Sequence, residues 1–241
     1  AGVLIIGSGQ AGVQAAEALR TGGYTAPITM LGDEPIGPYH RPPLSKAWLA
    51  GEVDAAQLVM RSAEVLARKT ITLRTGVRVV SIDRGAQVVH LDSGEALPYH
   101  GLVLATGSRP RALNLPGADA PNVLPLRTRA DADAISAELQ ACAALGLPVV
   151  VVGGGFIGLE VAATARKKGL AVTVVEMAPR LLGRVLAPML SDWYAELHRG
   201  HGVTVELGAG VAGIDTEGGR ATAVRGTAGQ RWPAGLVLVG I

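Results

Sequence analysis

Four apolar residues, Val149–Val152, run without a polar break into Gly153, Gly155 and Gly158. A helical pattern starts at once, with Glu160 in its first turns. A short, bounded, β-branched run of this kind predicts a strand buried on both faces. The next apolar run, over 171–175, ends on an acid, Glu176, 23 positions after Gly153. The same order opens the chain. Apolar residues at 3–6 lead into Gly7, Gly9 and Gly12, a helical pattern over 13–20 is stopped by Gly22 and Gly23, and a strand at 28–31 leads to Asp33, 26 positions after Gly7. The two glycine motifs are offset by 146 positions.

The stretches downstream of the two motifs also match. In the first half the pattern predicts a Pro/Gly-rich loop at 35–43 and short helices beginning at 47–49 and over 63–69. Strands are predicted at 71–73, 77–82, 87–91, 97–99 and 102–105, with a hairpin turn at 92–95. The second half predicts helices at 129–144, from the glycine motif to about Lys168, and at 188–198. Its strands fall at 203–206, 211–214, 221–225, 230–232 and within 235–241. LVLATG at 102–107 answers LVLVGI at 236–241. Residues 109–125, with Pro110, Pro116, Pro121 and Pro125, read as a linker.

Composition narrows the picture. A length of 241 residues with 49% hydrophobic positions accommodates two moderate domains. Aromatics make up only 3% and the net charge is +2 without a long basic run, which argues against nucleic-acid partners. No apolar run approaches the length of a membrane span. Cys142 is the single cysteine, in an Ala-rich helical stretch, and reads as a lone buried thiol in a reducing compartment, so the expected location is cytoplasmic. The sequence opens at Ala1 directly on a strand, with no signal-peptide pattern, and stops on the apolar run at 235–241, which leads us to expect a continuation beyond Ile241. No His/Cys/acid cluster has metal-ligand spacing, so no metal is expected. Trp48, Trp193 and Trp232 read as packing residues.

Strand, GxGxxG, helix, second strand and terminal acid make up the dinucleotide-binding constellation. The first glycine permits the tight turn. The second lets the backbone approach a pyrophosphate, and the third lets helix and strand pack closely. The pyrophosphate then meets unpaired N–H groups at the positive end of the helix. One such motif in a chain with 33 glycines is weak evidence, and two Gly-rich packing turns are the alternative; two ordered copies point to two dinucleotides. Glu176 at a strand end suits ribose hydroxyls and repels a 2′-phosphate, which favours NADH, although Arg180 and Arg184 lie nearby.

The residues GSGQAG at 7–12, RPPLSKAWL at 41–49, LVLATGSRPR at 102–111, LRT at 126–128 and VVVGGGFIGLEVAATA at 150–165 carry a resemblance to a known family. The chain resembles the NADH-dependent, FAD-containing ferredoxin reductases that serve bacterial haem monooxygenases and ring-hydroxylating dioxygenases. The resemblance implies an α/β fold of two Rossmann-like, three-layer ββα dinucleotide-binding domains, with the NAD domain inserted in the FAD domain. Residues 1–112 would be the N-terminal part of the FAD domain and 113–241 the NAD domain; the rest of the FAD domain and a C-terminal interface domain would be missing from the sequence. It implies that Gly7, Gly9, Ala11 and Gly12 line the FAD pyrophosphate and that Asp33 binds its adenosine ribose. Arg41 and Lys46 would sit by the flavin, and Val79 would offer its backbone to the adenine. Ala105, Thr106 and Gly107 would close over the site, and Arg127 would contact FAD. Gly153, Gly155, Phe156, Ile157 and Gly158 would hold the NADH pyrophosphate. Glu160 would face the nicotinamide, Glu176 would take the ribose and Gly240 would lie near the nicotinamide arm. Lys46 and Glu160 are the candidate catalytic residues, and an ion pair between them is a further hypothesis.

Many relatives of this family carry a redox-active cysteine pair, or a single cysteine, just after the first acid, where this chain reads PYHRPPLSK. Without that nucleophile, electrons are expected to leave the flavin singly, to a small acidic iron–sulfur ferredoxin. Arg61, Arg68, Lys69 and Arg74 are the candidate basic surface, weighed against scattered surface charge. Same-architecture reductases of rubredoxin, nitrite or oxygen, and a low-turnover NADH sensor, are the rival readings.

Overall fold

The computed structural model describes residues 2–241; Ala1, on which the sequence opens, lies outside the described residues. The chain forms two compact units. The first comprises the residues up to His40 with Asp54–Ser108, and the second comprises Arg41–Val53 with Arg109–Ile241. The division is therefore not one cut: a 13-residue segment from the first half packs in the second unit.

The first unit is built on a parallel sheet of β1 (Val3–Ile6), β2 (Ile28–Leu31), β3 (Ile71–Arg74) and β7 (Gly101–Leu104), in the order β3-β2-β1-β7. Alternation along the strands sorts side chains to two faces. Val3, Ile5, Ile28, Met30 and Ile71 pack with Val13 and Ala16 of α1 (Gln10–Thr21) and Leu66 of α4 (Ala63–Arg68). Leu4, Ile6 and Leu31 face the other way, onto Val89, Leu91 and Tyr99. That second layer is the antiparallel sheet β4 (Val79–Asp83), β5 (Val88–Leu91) and β6 (Ala96–Pro98). One short helix was not expected from the sequence, α3 (Ala55–Leu58). Its signal is a capping box: Asp54 accepts from the Gln57 N–H while the Gln57 side chain accepts from the Asp54 N–H.

The second unit repeats the plan. Its parallel sheet runs β11-β10-β9-β15-β8, from β8 (Val123–Pro125), β9 (Val149–Val152), β10 (Val172–Glu176), β11 (Val203–Leu207) and β15 (Leu236–Val239). Val150, Val152, Val175, Val237 and Val239 pack against Ile214, Ala221, Val224 and Trp232 of the antiparallel sheet β12 (Val211–Glu217), β13 (Arg220–Gly226) and β14 (Arg231–Pro233). The helices are α5 (Arg129–Leu145), α6 (Phe156–Lys167) and α7 (Pro188–Gly200). In each unit the strand before the glycine turn lies between the second strand and the last one: β1 pairs with β2 and β7, and β9 with β10 and β15. This is the equivalence expected of LVLATG and LVLVGI.

Three expectations need correction. The end of the proline-rich stretch at 109–125 is not linker, because Val123–Pro125 adds a parallel edge strand to β15; proline is tolerated at an edge, where its missing donor is not needed. The loop at 35–43 tightens into a 3₁₀ turn, Pro42–Ser45, which leads into α2 (Ala47–Ala50). Of the tryptophans, Trp232 is buried but Trp193 is 55% exposed and only edge-stacks on Tyr194. Cys142 is buried, and burial pushes its thiol pKa up.

Candidate functional site

The two glycine turns share one geometry. Gly7 and Gly153 adopt φ of +113° and +108°. A Cβ on Gly7 would stand 2.0 Å from the Ala105 carbonyl oxygen, and one on Gly153 would stand 2.5 Å from that of Gly240. Gly12 and Gly158 let each helix close on its own turn: a Cβ there would meet the carbonyl oxygen of Gly7 at 1.9 Å or of Gly153 at 2.3 Å. The middle glycines differ in kind. A Cβ on Gly9 would meet nothing within 4 Å, and one on Gly155 only the Gly240 oxygen at 3.9 Å. No protein atom demands a glycine at either place. The open space leaves room for a ligand to approach the backbone.

The helix starts agree. α3, α4 and α5 begin on side-chain caps from Asp54, Ser62 and Thr128. α1 and α6 begin on Gly9 and Gly155 with no side-chain cap and no acid in the first turn, as do α2 on Lys46 and α7 on Ala187, but only α1 and α6 follow a glycine turn. Their leading N–H groups and dipole ends remain available to an anion. Phe156 and Ile157, in the first turn of α6, are exposed although large and apolar. The residues present therefore fit a dinucleotide at each turn. Around the first turn the fold gathers Gly7, Gly9, Ala11, Gly12, Ala105 and Thr106, with Gly107 next along the chain; around the second it gathers Gly153, Gly155, Phe156, Ile157, Gly158, Glu176 and Gly240. Val79 opens β4 opposite Leu91, next to a register irregularity between Val79 and Ser81.

At the strand ends the units part company. Gly7 N–H donates to Leu31 O, and Gly153 N–H donates to Val175 O, so the next residues, Gly32 and Glu176, hold equivalent places. Glu176 Oε2 accepts from Gly154 N–H at 2.6 Å and its Oε1 from Ala178 N–H at 2.7 Å. The carboxylate thus ties the glycine turn to the turn after β10. In the first unit Gly32 leaves that place empty and Ser8 fills it; a Gly32 Cβ would stand 2.3 Å from Ser8 Oγ. The acid moves one position on, to Asp33, which is exposed and makes no hydrogen bond or ion pair among the described residues. Arg180 donates to Leu186 O and Gly183 O, both at 2.9 Å, so its guanidinium braces its own loop.

The segment Arg41–Val53 lies along α5 and α6 of the second unit. Arg41 donates to Arg127 O at 2.7 Å, and the Arg127 N–H donates to Asp131, which takes part in the capping box of α5. Trp48 donates its indole N–H to Asp133 at 2.8 Å, with Arg129 over its ring at 4.9 Å. Lys46 Nζ lies 2.8 Å from Glu160 Oε2, which is the ion pair expected of these two residues. Ser45, not among the expected site residues, donates its hydroxyl to the same Glu160 oxygen at 2.5 Å. Arg41, Lys46 and Arg127, which the resemblance puts beside the flavin, are thus all held in the second unit.

The candidate basic surface is largely neutralised. Arg61 and Lys69 both pair with Glu17, and Arg74 with Glu95. Among the described residues no group of three or more His, Cys, Asp or Glu side chains is placed to hold a metal, and no helix is long and apolar enough to cross a membrane.

Two glycine cradles, each on a parallel β–α–β unit backed by an antiparallel sheet, define a fold with two dinucleotide-binding units. The family model described as pyridine nucleotide-disulphide oxidoreductase matches residues 1–241, and the chain belongs to that family. It is 47% identical over 239 residues to rhodocoxin reductase of Rhodococcus erythropolis, covering 99% of this chain and 55% of that protein. It is 45% identical over 244 residues to putidaredoxin reductase CamA of Pseudomonas putida, covering 99% and 57%. The ferredoxin reductase for the CYP199A2 system of Rhodopseudomonas palustris superposes with a TM-score of 0.94 at 43% identity, over 100% of this chain and 58% of that one. The reductase in a covalent putidaredoxin reductase–putidaredoxin complex superposes with a TM-score of 0.93, also at 43% identity, over 100% and 58%. The chain spans a little over half the length of these relatives.

Proposed function

We propose that the protein is an FAD-dependent NADH:ferredoxin oxidoreductase, taking hydride from NADH and passing single electrons to a small acidic iron–sulfur ferredoxin of an oxygenase system. The observation that carries the reading is the pair of open glycine cradles in a chain whose only thiol, Cys142, is buried. The family name includes disulphide chemistry, but this chain has no second cysteine with which to perform it. The names of the relatives supply the acceptor class, because rhodocoxin reductase and putidaredoxin reductase are each named for their electron acceptor.

FAD, when bound, supplies hydride acceptance and one-electron release. The first turn would hold it, with Gly7, Gly9, Ala11 and Gly12 under the pyrophosphate and Asp33 free for the ribose hydroxyls. The second turn would hold NADH, with Glu176 offering its remaining lone pairs to the ribose and repelling a 2′-phosphate. Lys46 would supply positive charge where negative charge develops on reduction, and Glu160 would fix the lysine and face the nicotinamide. The lone buried thiol and the use of NADH favour a cytoplasmic location.

The test is colour. The full-length protein should be yellow, bleach with NADH under anaerobic conditions and recover its colour on adding an oxidised two-iron ferredoxin. A protein that is colourless, or yellow and untouched by NADH, overturns the proposal.

A further inference from the structure

Glu160 Oε2 receives two donors, Lys46 Nζ at 2.8 Å and Ser45 Oγ at 2.5 Å, whereas Oε1 meets no protein partner among the described residues. The Lys46 and Glu160 side chains are 52% and 28% exposed, and ion pairs this open are screened and hold geometry weakly. Ser45 is 5% exposed, and it is fixed from its other end as well: its carbonyl accepts from Thr164 Oγ1 at 3.3 Å. Positions 160 and 164 lie one above the other on α6. One face of α6 therefore grips both the hydroxyl and the carbonyl of Ser45. The Lys46 N–H donates to Pro43 O and its Nζ to Pro42 O at 3.2 Å, which folds the lysine back over the same turn.

We propose that Ser45 is the positioning residue of the Lys46–Glu160 pair. Its hydroxyl pins Oε2 of Glu160, so that Lys46 meets a fixed carboxylate and Oε1 stays open towards the bound nicotinamide. Ser45 touches no substrate itself and acts through Glu160. The inference rests on the reading of the protein as an NADH-dependent flavoprotein.

The experiment is anaerobic stopped-flow reduction of the FAD-loaded full-length protein by NADH, for wild type, Ser45→Ala, Glu160→Gln and the double variant. Ser45→Ala is expected to lower the limiting rate about tenfold while leaving the apparent NADH Kd within about twofold, because orientation rather than binding is lost. The double variant should be no slower than Glu160→Gln alone. A limiting rate for Ser45→Ala within about twofold of wild type, a loss expressed mainly in Kd, or effects that multiply in the double variant overturn the proposal. Thr164→Val, which frees only the Ser45 carbonyl, gives an independent arm should Ser45→Ala lose its flavin. It should slow reduction about threefold, and an unchanged rate likewise overturns the proposal. Failure of the wild type itself to bleach would instead sink the oxidoreductase reading.

Discussion

At the first glycine turn Ser8 stands over Gly32; at the second Gly154 stands beside Glu176. The same small volume is filled from opposite sides, by the turn's side chain in one unit and by the strand's in the other. The exchange decides what each acid does. Glu176 is part of the turn, with both oxygens on backbone N–H groups, so local stability depends on this side chain. Asp33 is exposed and is held by nothing among the described residues. Two units with one plan can therefore respond very differently to the same substitution.

The largest effects should separate the glycines within each turn. Gly7→Ala and Gly153→Ala place a Cβ against a backbone carbonyl at positive φ and should destabilise their units by about 3 kcal/mol or more in urea unfolding. Gly9→Ala and Gly155→Ala meet open space and should cost about 1 kcal/mol or less, while weakening nucleotide binding at least about tenfold. Equal destabilisation by both kinds of variant would remove the ground for calling the middle position a cradle. Next in size, Glu176→Ala leaves two backbone donors without their acceptor and should cost about 1–3 kcal/mol, whereas Asp33→Ala should stay within about 0.5 kcal/mol. Calorimetric titration should show both losing nucleotide affinity. If Glu176→Ala proves as harmless to stability as Asp33→Ala, the contrast between the strand ends is broken.

The smallest effect is in acid. Burial, with His201 beside it, holds the His198 imidazole below its usual 6.5. The unfolded chain then takes up that proton first, so this contribution to the second unit is complete above about pH 6.5 and declines as pH falls below it. In the first unit hydrogen bonds from Arg61 and Lys69 hold Glu17 below the usual 4.5, and its contribution is lost only as pH falls from there through the lowered value. All three tryptophans lie in the second unit, so their emission reports on that unit alone. Its urea midpoint should slip between pH 6.5 and 5 in wild type and hold steady in His198→Gln, with the first unit, tracked by hydrogen exchange, unmoved until below about pH 4.5.

The order of strand, glycine turn and helix in both units could be read from the chain, because a buried parallel strand leaves a continuous apolar run and a glycine turn leaves three spaced glycines; the layering of the sheets was implied only by the resemblance. Both signals are local. What could not be read was non-local. Spacing alone put the two acids 26 and 23 positions after their first glycines, and the difference hid a change of register. The link from helix to strand is two residues longer in the first unit, and the acid then sits one place later. Only the pairing of Gly7 with Leu31 and Gly153 with Val175 reveals that Gly32, not Asp33, is the counterpart of Glu176. Ser45 was legible as a polar residue in a loop, but its partner lies 115 positions away. The Lys46–Glu160 pair could be raised as a hypothesis, yet nothing in the sequence placed Arg41–Val53 in the second unit, because its proline-rich composition looks the same whichever unit it packs in.

That segment has a consequence for how the chain is made. Residues 41–53 leave the ribosome long before α5 and α6, the helices on which they rest. At about 5–20 residues per second, several seconds separate Ser45 from its partner Glu160 during synthesis. Through that interval the first unit can close around β1, β2 and β7 while a tether of 13 residues hangs from it, waiting for its site to be translated. A piece that begins at Arg109 lacks this tether, and a second unit expressed without residues 41–53 would emerge with Glu160, Thr164 and Asp133 facing water in place of the groups that complete them.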